Sequence, residues 1–113
     1  MKKKCILIIV IVLLTYCFTY RTRFSKKSNI KVSFGNTYYR INATTSYSYA
    51  KWGHSYYTKD NAIYLSIFLY PFYNFFINNS GIMYNFYIEE DPNQFHSIYI
   101  IDSNGKEILI YTR

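Results

Sequence analysis

Two patterns of hydrophobic residues divide the chain. Residues 5–14, CILIIVIVLL, are apolar without interruption, whereas apolar and polar residues alternate with a period of two from Ile30 onward. An unbroken apolar run after basic residues predicts a membrane-directed helix, and a period of two predicts half-buried strands. The sequence therefore predicts an N-terminal hydrophobic α-helix followed by a mainly β domain, a small antiparallel sheet or sandwich, over residues 30–113.

The opening segment, residues 1–20, has the layout of a secretory signal or a signal-anchor. Three lysines precede the apolar run, which becomes more polar from Thr15 and ends before Arg21. A cleavable signal needs small residues at the −3 and −1 positions, and the available pairs, Thr15 with Cys17 and Cys17 with Thr19, are poor. We therefore favour an uncleaved transmembrane anchor over a cleaved signal peptide, and both over a lipoprotein or a buried core helix.

The predicted membrane segment, residues 5–20, is short for a span. Its helix would extend about 24 Å, against a hydrocarbon thickness of about 30 Å. Lys4 and Arg21 can snorkel at its two ends, and Tyr16 and Tyr20 suit the membrane interface. The signal-like order favours a single-pass protein whose C-terminal domain is exported, on the periplasmic or extracellular side. Secretion after cleavage is the alternative.

Charge is distributed unevenly along the chain, whose formal net charge is +7. All but two of the 13 Lys and Arg residues precede Asp60, and all 6 Asp and Glu residues lie from Asp60 onward. Many of the bases flank the apolar segment, and residues 21–29, RTRFSKKSN, are predicted to be a basic juxtamembrane linker. The separation can also steer an acidic or phosphate-bearing partner to the first half of the chain.

Alternating residues predict two hairpins in the first half of the β domain. Residues 30–41 alternate around a Gly-Asn turn at 35–36, which favours a first hairpin. Residues 47–57 are predicted to form a second pair, with the chain reversing at residues 52–55, WGHS.

The strand signal is strongest over Ala62–Tyr70. Its Ile and Leu residues lie on one face and its Tyr and Phe residues on the other, which predicts a central strand covered on both sides. Pro71 is predicted to start a short helix near residues 71–79. We prefer this helix to a second membrane span over residues 62–77, because the apolar residues there follow a period of two.

The end of the chain contains its clearest local signals. Residues 82–88 alternate as a strand that stops at the acidic turn EEDPN, residues 89–93. Two apolar runs, FHSIYII at 95–101 and KEILIYT at 106–112, are joined by residues 102–105. That connection ends in Asn-Gly, which supplies the positive φ values of a tight turn, so a closing hairpin is predicted.

The sequence contains no established motif for catalysis or metal binding. The two histidines, His54 and His96, are far apart, and no Gly-rich phosphate loop, nucleophile elbow or cysteine follows the opening segment. The carboxylates of residues 89–91 are typical of a solvated turn, and DSNGKE, residues 102–107, lacks the glycine position of a calcium loop. We therefore expect a protein without catalytic residues, cofactors or metal, and the β domain has no disulfide.

One stretch, residues 38–59, interleaves aromatic and basic side chains without any acid. Such side chains form the centres of protein interfaces, or stack on sugars and lipid head groups. The candidate binding residues are Tyr38, Tyr39, Arg40, Tyr47, Tyr49, Lys51, Trp52, His54, Tyr56 and Tyr57. The ordinary alternative is two strands whose tyrosines cap a small core, since A- and T-rich codons specify Tyr, Phe, Lys, Asn and Ile.

Small size, a predicted anchor and the missing catalytic motifs favour a non-catalytic role. We expect the domain to bind an unidentified protein partner at the cell envelope, as a small inhibitor, an immunity-like protein or an accessory subunit does. The alternative is a module that binds a glycan or a lipid head group through residues 38–59. No nucleic-acid partner is expected, because the domain is predicted to be exported.

Overall fold

The chain is mainly β, with one helix at its N-terminus. The computed structural model describes residues 2–49, 51–72 and 81–113, and for residues 46–49 and 81 it describes the backbone only. Across these ranges a single α-helix precedes eight strands, and a 3₁₀ turn, Lys27–Asn29, precedes the second strand. The elements are α1 Lys2–Thr19, β1 Thr22–Phe24, β2 Ile30–Phe34, β3 Tyr39–Tyr49, β4 Trp52–Lys59, β5 Ala62–Leu69, β6 Gly81–Ile88, β7 Ser97–Ile101 and β8 Glu107–Thr112.

The predicted combination of a mainly β fold with an N-terminal helix is confirmed. The predicted short helix near residues 71–79 lies outside the described residues beyond Phe72.

Strand β5 is the centre of a five-stranded sheet. Strand β4 pairs with it along its whole length, from Trp52 opposite Leu69 to Lys59 opposite Ala62. Because β4 occupies one edge of β5, β1 and β7 must share the other edge, and β8 pairs with β7 outside them. The β5–β7 pair is parallel, which departs from the antiparallel sheet that the sequence predicted.

A second sheet has three antiparallel strands in the order β2, β3, β6. The two sheets pack face to face and form a sandwich with one hydrophobic core. In each strand the core residues alternate with outward-facing ones, as expected for a two-layer fold. The five-stranded sheet contributes Ile63, Leu65, Ile67, Ile98 and Ile100, and the three-stranded sheet contributes Ile30, Tyr39, Ile41, Ala43, Phe86 and Ile88.

Several local predictions are confirmed by the strand registers. Residues Ile30–Phe34 pair with Tyr39–Ala43 as the first hairpin, and β7 pairs with β8 as the last. In the last hairpin, Gly105 adopts a φ of 80°, the left-handed conformation that the Asn-Gly sequence predicted. The prediction of a central strand covered on both sides is also confirmed, since every residue of β5 except Tyr64 is buried.

The predicted reversal at residues 52–55 is wrong. These residues are the first half of strand β4, and the chain reverses instead at Asp60 and Asn61, which adopt φ values of 53° and 62°. Two consecutive residues with positive φ form the turn that suits the twist of a two-residue hairpin, and Asp and Asn tolerate it better than most residues. Strands β3 and β4 therefore belong to different sheets rather than to one hairpin.

The segment predicted as a linker is tied to the sandwich at two points. Strand β1 lies within residues 21–29 and pairs with the end of β5. The amide of Asn29 donates a hydrogen bond to the carbonyl oxygen of Thr44, at 3.1 Å. The chain therefore enters the β domain close to Arg21.

Helix α1 packs little against the sandwich. None of its residues is buried, and its Ile, Leu and Val side chains from Ile6 to Leu14 are 43–61% exposed. Its last turn contacts the domain, where Tyr16 and Tyr20 lie 6.3 and 5.4 Å from the ring of Phe72. Among the described helices, none has the combined length and apolar character that crossing a membrane requires.

Candidate functional site

The ten residues predicted from the sequence do not form one surface, because β3 and β4 lie in different sheets. Tyr39 is fully buried in the core, and its hydroxyl donates a hydrogen bond to the carbonyl oxygen of Phe95. Tyr38 is 40% exposed at the turn before β3, and Arg40 is exposed on the outer face of the three-stranded sheet. Tyr47 and Tyr49 belong to β3, but their side chains lie outside the described portion of the structure.

The remaining candidates lie on or beside β4, on two different faces. The ammonium group of Lys51 lies 4.7 Å from the ring centroid of Tyr70, just before the strand begins. Trp52, His54 and Tyr56 occupy alternate positions on the face that meets the second sheet, and Tyr57 points to the opposite face.

An aromatic cluster closes the sandwich edge between β4 and β6. Trp52 stacks on Tyr84 at 5.5 Å and 17°, and His54 stacks on Phe86 at 3.9 Å and 12°. The Nδ1 atom of His54 lies 2.7 Å from the hydroxyl oxygen of Tyr84, at hydrogen-bond distance. Burial lowers the pKa of His54, so the ring is neutral at physiological pH. These contacts account for Trp52 and His54 as contributors to the packing between the sheets.

Tyr56 extends the same edge toward the acidic turn. Its hydroxyl donates a hydrogen bond of 3.3 Å to a carboxylate oxygen of Glu90. Burial raises the pKa of Tyr56, and the charge of Glu90 raises it further. Tyr56 is therefore a neutral donor that links β4 to the loop after β6.

The outer face of the five-stranded sheet carries a row of stacked tyrosines. Tyr57, Tyr64 and Tyr99 lie opposite one another on β4, β5 and β7. Their ring centroids are 5.1 and 5.2 Å apart, with interplanar angles of 15° and 13°. Leu109 on β8 lies opposite Tyr99 and continues the line. We call these four residues the tyrosine row.

The side chains of the tyrosine row are larger than most of their neighbours on the outer face of the sheet. Four neighbouring positions on the same face hold small side chains, Ser55 and Ser66 on one side and Ala62 and Ser97 on the other, while Lys59 and Ile101 hold larger ones. Tyr57 is 51% exposed and Leu109 is 38% exposed. Desolvation raises the pKa of Tyr64, with smaller contributions from the charges of Glu107 and Tyr99, so its hydroxyl is uncharged at neutral pH.

Sequence reasoning included Tyr57 but missed Tyr64 and Tyr99. Each of them is an ordinary outward position of an alternating strand, and Tyr64 was assigned only to the second covered face of β5. The row exists because Tyr57, Tyr64 and Tyr99 share one register. Finding the row from the sequence would therefore have required the pairing of β5 with β7, which is parallel and joins residues far apart in the sequence.

The outer face of the three-stranded sheet is polar and basic. Cross-strand neighbours form two lines, Ser33, Arg40 and Tyr87 in one, and Lys31, Asn42 and Asn85 in the other. The residues Lys31, Val32, Ser33, Arg40 and Asn42 line a shallow cavity of about 390 Å³. We call this surface the polar face.

An exposed tyrosine pair lies at one end of the polar face. Tyr38 and Tyr87 meet edge to face at 5.4 Å, and Tyr87 is 59% exposed. Together with Thr37 and Glu89 they line a second cavity of about 420 Å³. The polar face therefore presents cations, amides and aromatic rings side by side, the groups that bind sugars and anions.

Metal ligands do not cluster among residues 2–49, 51–72 and 81–113. No group of three or more His, Cys, Asp or Glu side chains lies close enough together there to hold an ion.

Comparison with known proteins gives no match: no family model fits the chain, and no curated protein or solved structure is significantly similar to it. Function is therefore inferred from the chain's own geometry.

Proposed function

We propose that this chain is a small membrane-anchored, exported protein that binds a protein partner through its β-sandwich and catalyses no reaction. The observation that carries the proposal is the tyrosine row on the outer face of the five-stranded sheet, three stacked rings and a leucine whose end members, Tyr57 and Leu109, are exposed. Protein interfaces concentrate their binding energy in a few central aromatic residues surrounded by polar ones. Lys59 on β4 and Glu107 on β8 lie on the same face and supply such a polar margin.

The stacking of the row favours binding. Tyr64 is held between Tyr57 and Tyr99, so its side chain is already ordered before a partner arrives. Ordering a free side chain at an interface costs about 0.5–1.5 kcal/mol, and a pre-ordered ring avoids much of this cost. The row therefore offers a rigid aromatic surface with little entropy left to lose.

The proposed membrane insertion rests on α1. Its large apolar side chains are exposed along the whole helix, and such a helix needs a lipid or protein covering. The apolar stretch is shorter than a typical span, so Lys4 and Arg21 would have to reach the head groups from its ends. The β domain would then lie on the exported side, or in the medium if the helix is cleaved.

Topology can be tested directly in cells. A C-terminal tag should be digested by protease added to intact cells if the domain is exported, and only after lysis if it is not. The N-terminal mass of the purified chain separates a retained helix from a cleaved signal. A protected tag in intact cells would contradict export.

The tyrosine row can be tested by photo-crosslinking in intact cells. A benzoylphenylalanine at position 57 should crosslink a defined partner, whereas the same group at position 87 should not. The Y57S/Y99S double variant should lower partner affinity about thirty-fold, the effect of losing a hot spot of about 2 kcal/mol. The matched control is Y87S, another exposed tyrosine on the opposite sheet.

Two outcomes would contradict binding through the tyrosine row. Equal crosslinking from both positions, or unchanged partner binding by a folded Y57S/Y99S variant, would remove the tyrosine row as the binding surface. Circular dichroism of each variant shows whether the fold is retained.

The polar face supports a second candidate function, binding of a glycan or a lipid head group. Its favouring observation is that Arg40 and Lys31 share an exposed face with Asn42 and Asn85, beside the tyrosine pair. If this is the function, R40Q and Y87S should each abolish retention on a glycan array or on lipid strips, and Y57S should leave it unchanged. Retention by R40Q and Y87S, or loss with Y57S alone, would remove the polar face as the binding site for these ligands.

A further inference from the structure

Charged residues are ordered along the long axis of the sandwich. Helix α1 leads into β1 at the end of β5 marked by Leu69, which we call the basal end. The β7–β8 turn lies at the same end because β7 runs parallel to β5. The charged side chains there are Arg21, Arg23, Lys51, Lys106, Asp102 and Glu107.

The opposite end of the sandwich is acidic. It contains the β4–β5 turn at Asp60 and the loop after β6, which meet where the amide of His96 donates to the carbonyl oxygen of Asn61. Its charged residues are Asp60, Glu89, Glu90, Asp91, Lys59, Arg40 and Arg113. The net charge is thus positive at the basal end and negative at the far end, so a negatively charged surface would attract the basal end.

Two arginines of the basal end are fixed beside a common cavity. The guanidinium carbon of Arg21 lies 3.8 Å from the ring centroid of Phe68, and its Nη1 donates to the hydroxyl of Tyr70 at 3.3 Å. Arg23 lies 5.9 Å from the same ring centroid and donates to the carbonyl oxygen of Asp102 at 3.2 Å.

The cavity has a volume of about 370 Å³ and is lined by Arg21, Thr22, Arg23, Phe68 and Ser103. Within the described structure each guanidinium makes one hydrogen bond, and a guanidinium carries five N–H donors. The remaining donors, with the hydroxyl groups of Thr22 and Ser103, are suited to the oxygens of a phosphate group.

The cavity also lies next to the C-terminal end of the helix. A single residue, Tyr20, separates the end of α1 from Arg21. Tyr20 and Phe72 meet edge to face at 5.4 Å, and Tyr16 joins them from the last turn of the helix. Aromatic rings of this kind concentrate at the depth of lipid head groups.

We infer that Arg21 and Arg23 form a binding site for the phosphate head group of an anionic phospholipid, which docks the basal end of the β domain onto the membrane surface. This inference rests on the proposed insertion of α1, because the helix brings the cavity to head-group depth. Docking would hold the sandwich upright, with its acidic end farthest from the lipid. The partner in this contact is the lipid surface rather than a free phosphate ester.

The single tryptophan of the chain provides the measurement. Trp52 is the first residue of β4 and lies at the basal end, opposite Leu69. The full-length chain is reconstituted into discs of phosphatidylcholine, or of phosphatidylcholine with phosphatidylglycerol, each with a dansyl-labelled head group. Energy transfer from Trp52 to dansyl should rise in the anionic discs and fall again as salt is added.

Variants test the two arginines. R21Q/R23Q should lower the docking equilibrium constant in anionic discs about thirty-fold, since each basic residue near an anionic surface adds about 1 kcal/mol. R21K/R23K keeps both charges and should retain most of the docking. K59Q, at the far end of the sandwich, is the matched charge control and should leave the transfer unchanged.

Three results would overturn the inference. Equal energy transfer in both kinds of disc would rule out the anionic lipid as the ligand. Equal losses of transfer in the R21Q/R23Q and R21K/R23K variants would mean that the arginines have a structural role. Tight binding of soluble glycerol phosphate in phosphatidylcholine discs would make a free ester the ligand. A chain that fails to enter either disc would instead contradict the proposed membrane insertion, which separates the two failures.

Discussion

The central strands of the two sheets are buried to different extents. In β5, AIYLSIFL, both faces are covered, and Ser66 and Phe68 on the outer face are each only 6% exposed. In β3 the inward residues Tyr39 and Ile41 are fully buried, whereas Arg40 between them is exposed. Both strands lie between two neighbours, so the difference comes from what covers their outer faces.

This difference separates the two candidate surfaces. The outer face of the five-stranded sheet is aromatic and partly covered, with the arginines of the basal end over Phe68 and the tyrosine row beside it. The polar face consists of hydrogen-bonding groups that water can satisfy. An apolar outer face is costly to leave in water, which is why the tyrosine row, rather than the polar face, is the proposed partner surface.

The largest effect is expected at Phe68. Replacing it by alanine should lower the free energy of unfolding by about 3 kcal/mol, because a buried aromatic ring is removed and a cavity remains. Urea denaturation of the full chain in detergent gives this value. The matched control, R40A on the outer face of β3, should change stability by less than about 0.5 kcal/mol. Similar losses in F68A and R40A would mean that the two outer faces do not differ.

The next effect concerns the tyrosine row. Y64S breaks two stacked pairs, each worth about 0.5–1.5 kcal/mol beyond burial, and should cost about 1–3 kcal/mol. Double-mutant cycles of Tyr64 with Tyr57 and with Tyr99 should show coupling of similar size. A cycle between Tyr64 and Tyr87, on opposite outer faces, should show none, and coupling in that cycle would argue against a local stacking effect.

A smaller difference in stability is expected between substitutions in the turns of the two sheets. N61A forces alanine into a positive φ of 62° and should destabilise the chain by about 1 kcal/mol, whereas N61G should be neutral or slightly stabilising. The counterpart in the three-stranded sheet is Asn36, whose φ is not positive. N36A should therefore leave the urea midpoint almost unchanged. Equal losses at both turns would show that φ is not the cause.

The smallest effect is a pH dependence at the edge that joins the sheets. Because burial lowers the pKa of His54 in the folded state, the unfolded state binds the proton more readily. Stability should be complete above the unfolded pKa of about 6.5 and should fall as the pH drops toward the lower folded value. The melting temperature between pH 7.5 and pH 5, compared with that of H54Q, isolates this contribution. An identical pH slope in H54Q would assign the dependence to other groups.

Local patterns predicted most of the strands. The first and last hairpins and the double coverage of β5 follow from alternation and turn residues that lie within a few positions of each other. The predicted reversal at residues 52–55 rested on the WGHS stretch, which contains Gly53. In the structure Gly53 belongs to a strand, where a Cβ atom would lie 3.2 Å from the ring of Tyr70. The glycine serves packing, which the local sequence does not reveal.

The arrangement of the sheets could not be predicted from local patterns. Alternation shows which residues of a strand share a face, but not which strand lies beside it. The split of residues 38–59 between two sheets and the alignment of Tyr64 with Tyr99 both depend on pairings that are distant in sequence. The predicted binding residues therefore included Tyr57 without its two stacking partners.

The parallel pairing of β5 with β7 also governs how the chain can fold. A hairpin closes locally, but β7 can join β5 only after the chain has crossed to the three-stranded sheet through β6 and returned. Contacts so distant in sequence form slowly, because chain entropy is lost before the contact is gained. The five-stranded sheet thus stays incomplete until Ser97 and the residues after it have been synthesised. Under the proposed export, such late closure would keep the chain extended while it crosses the membrane.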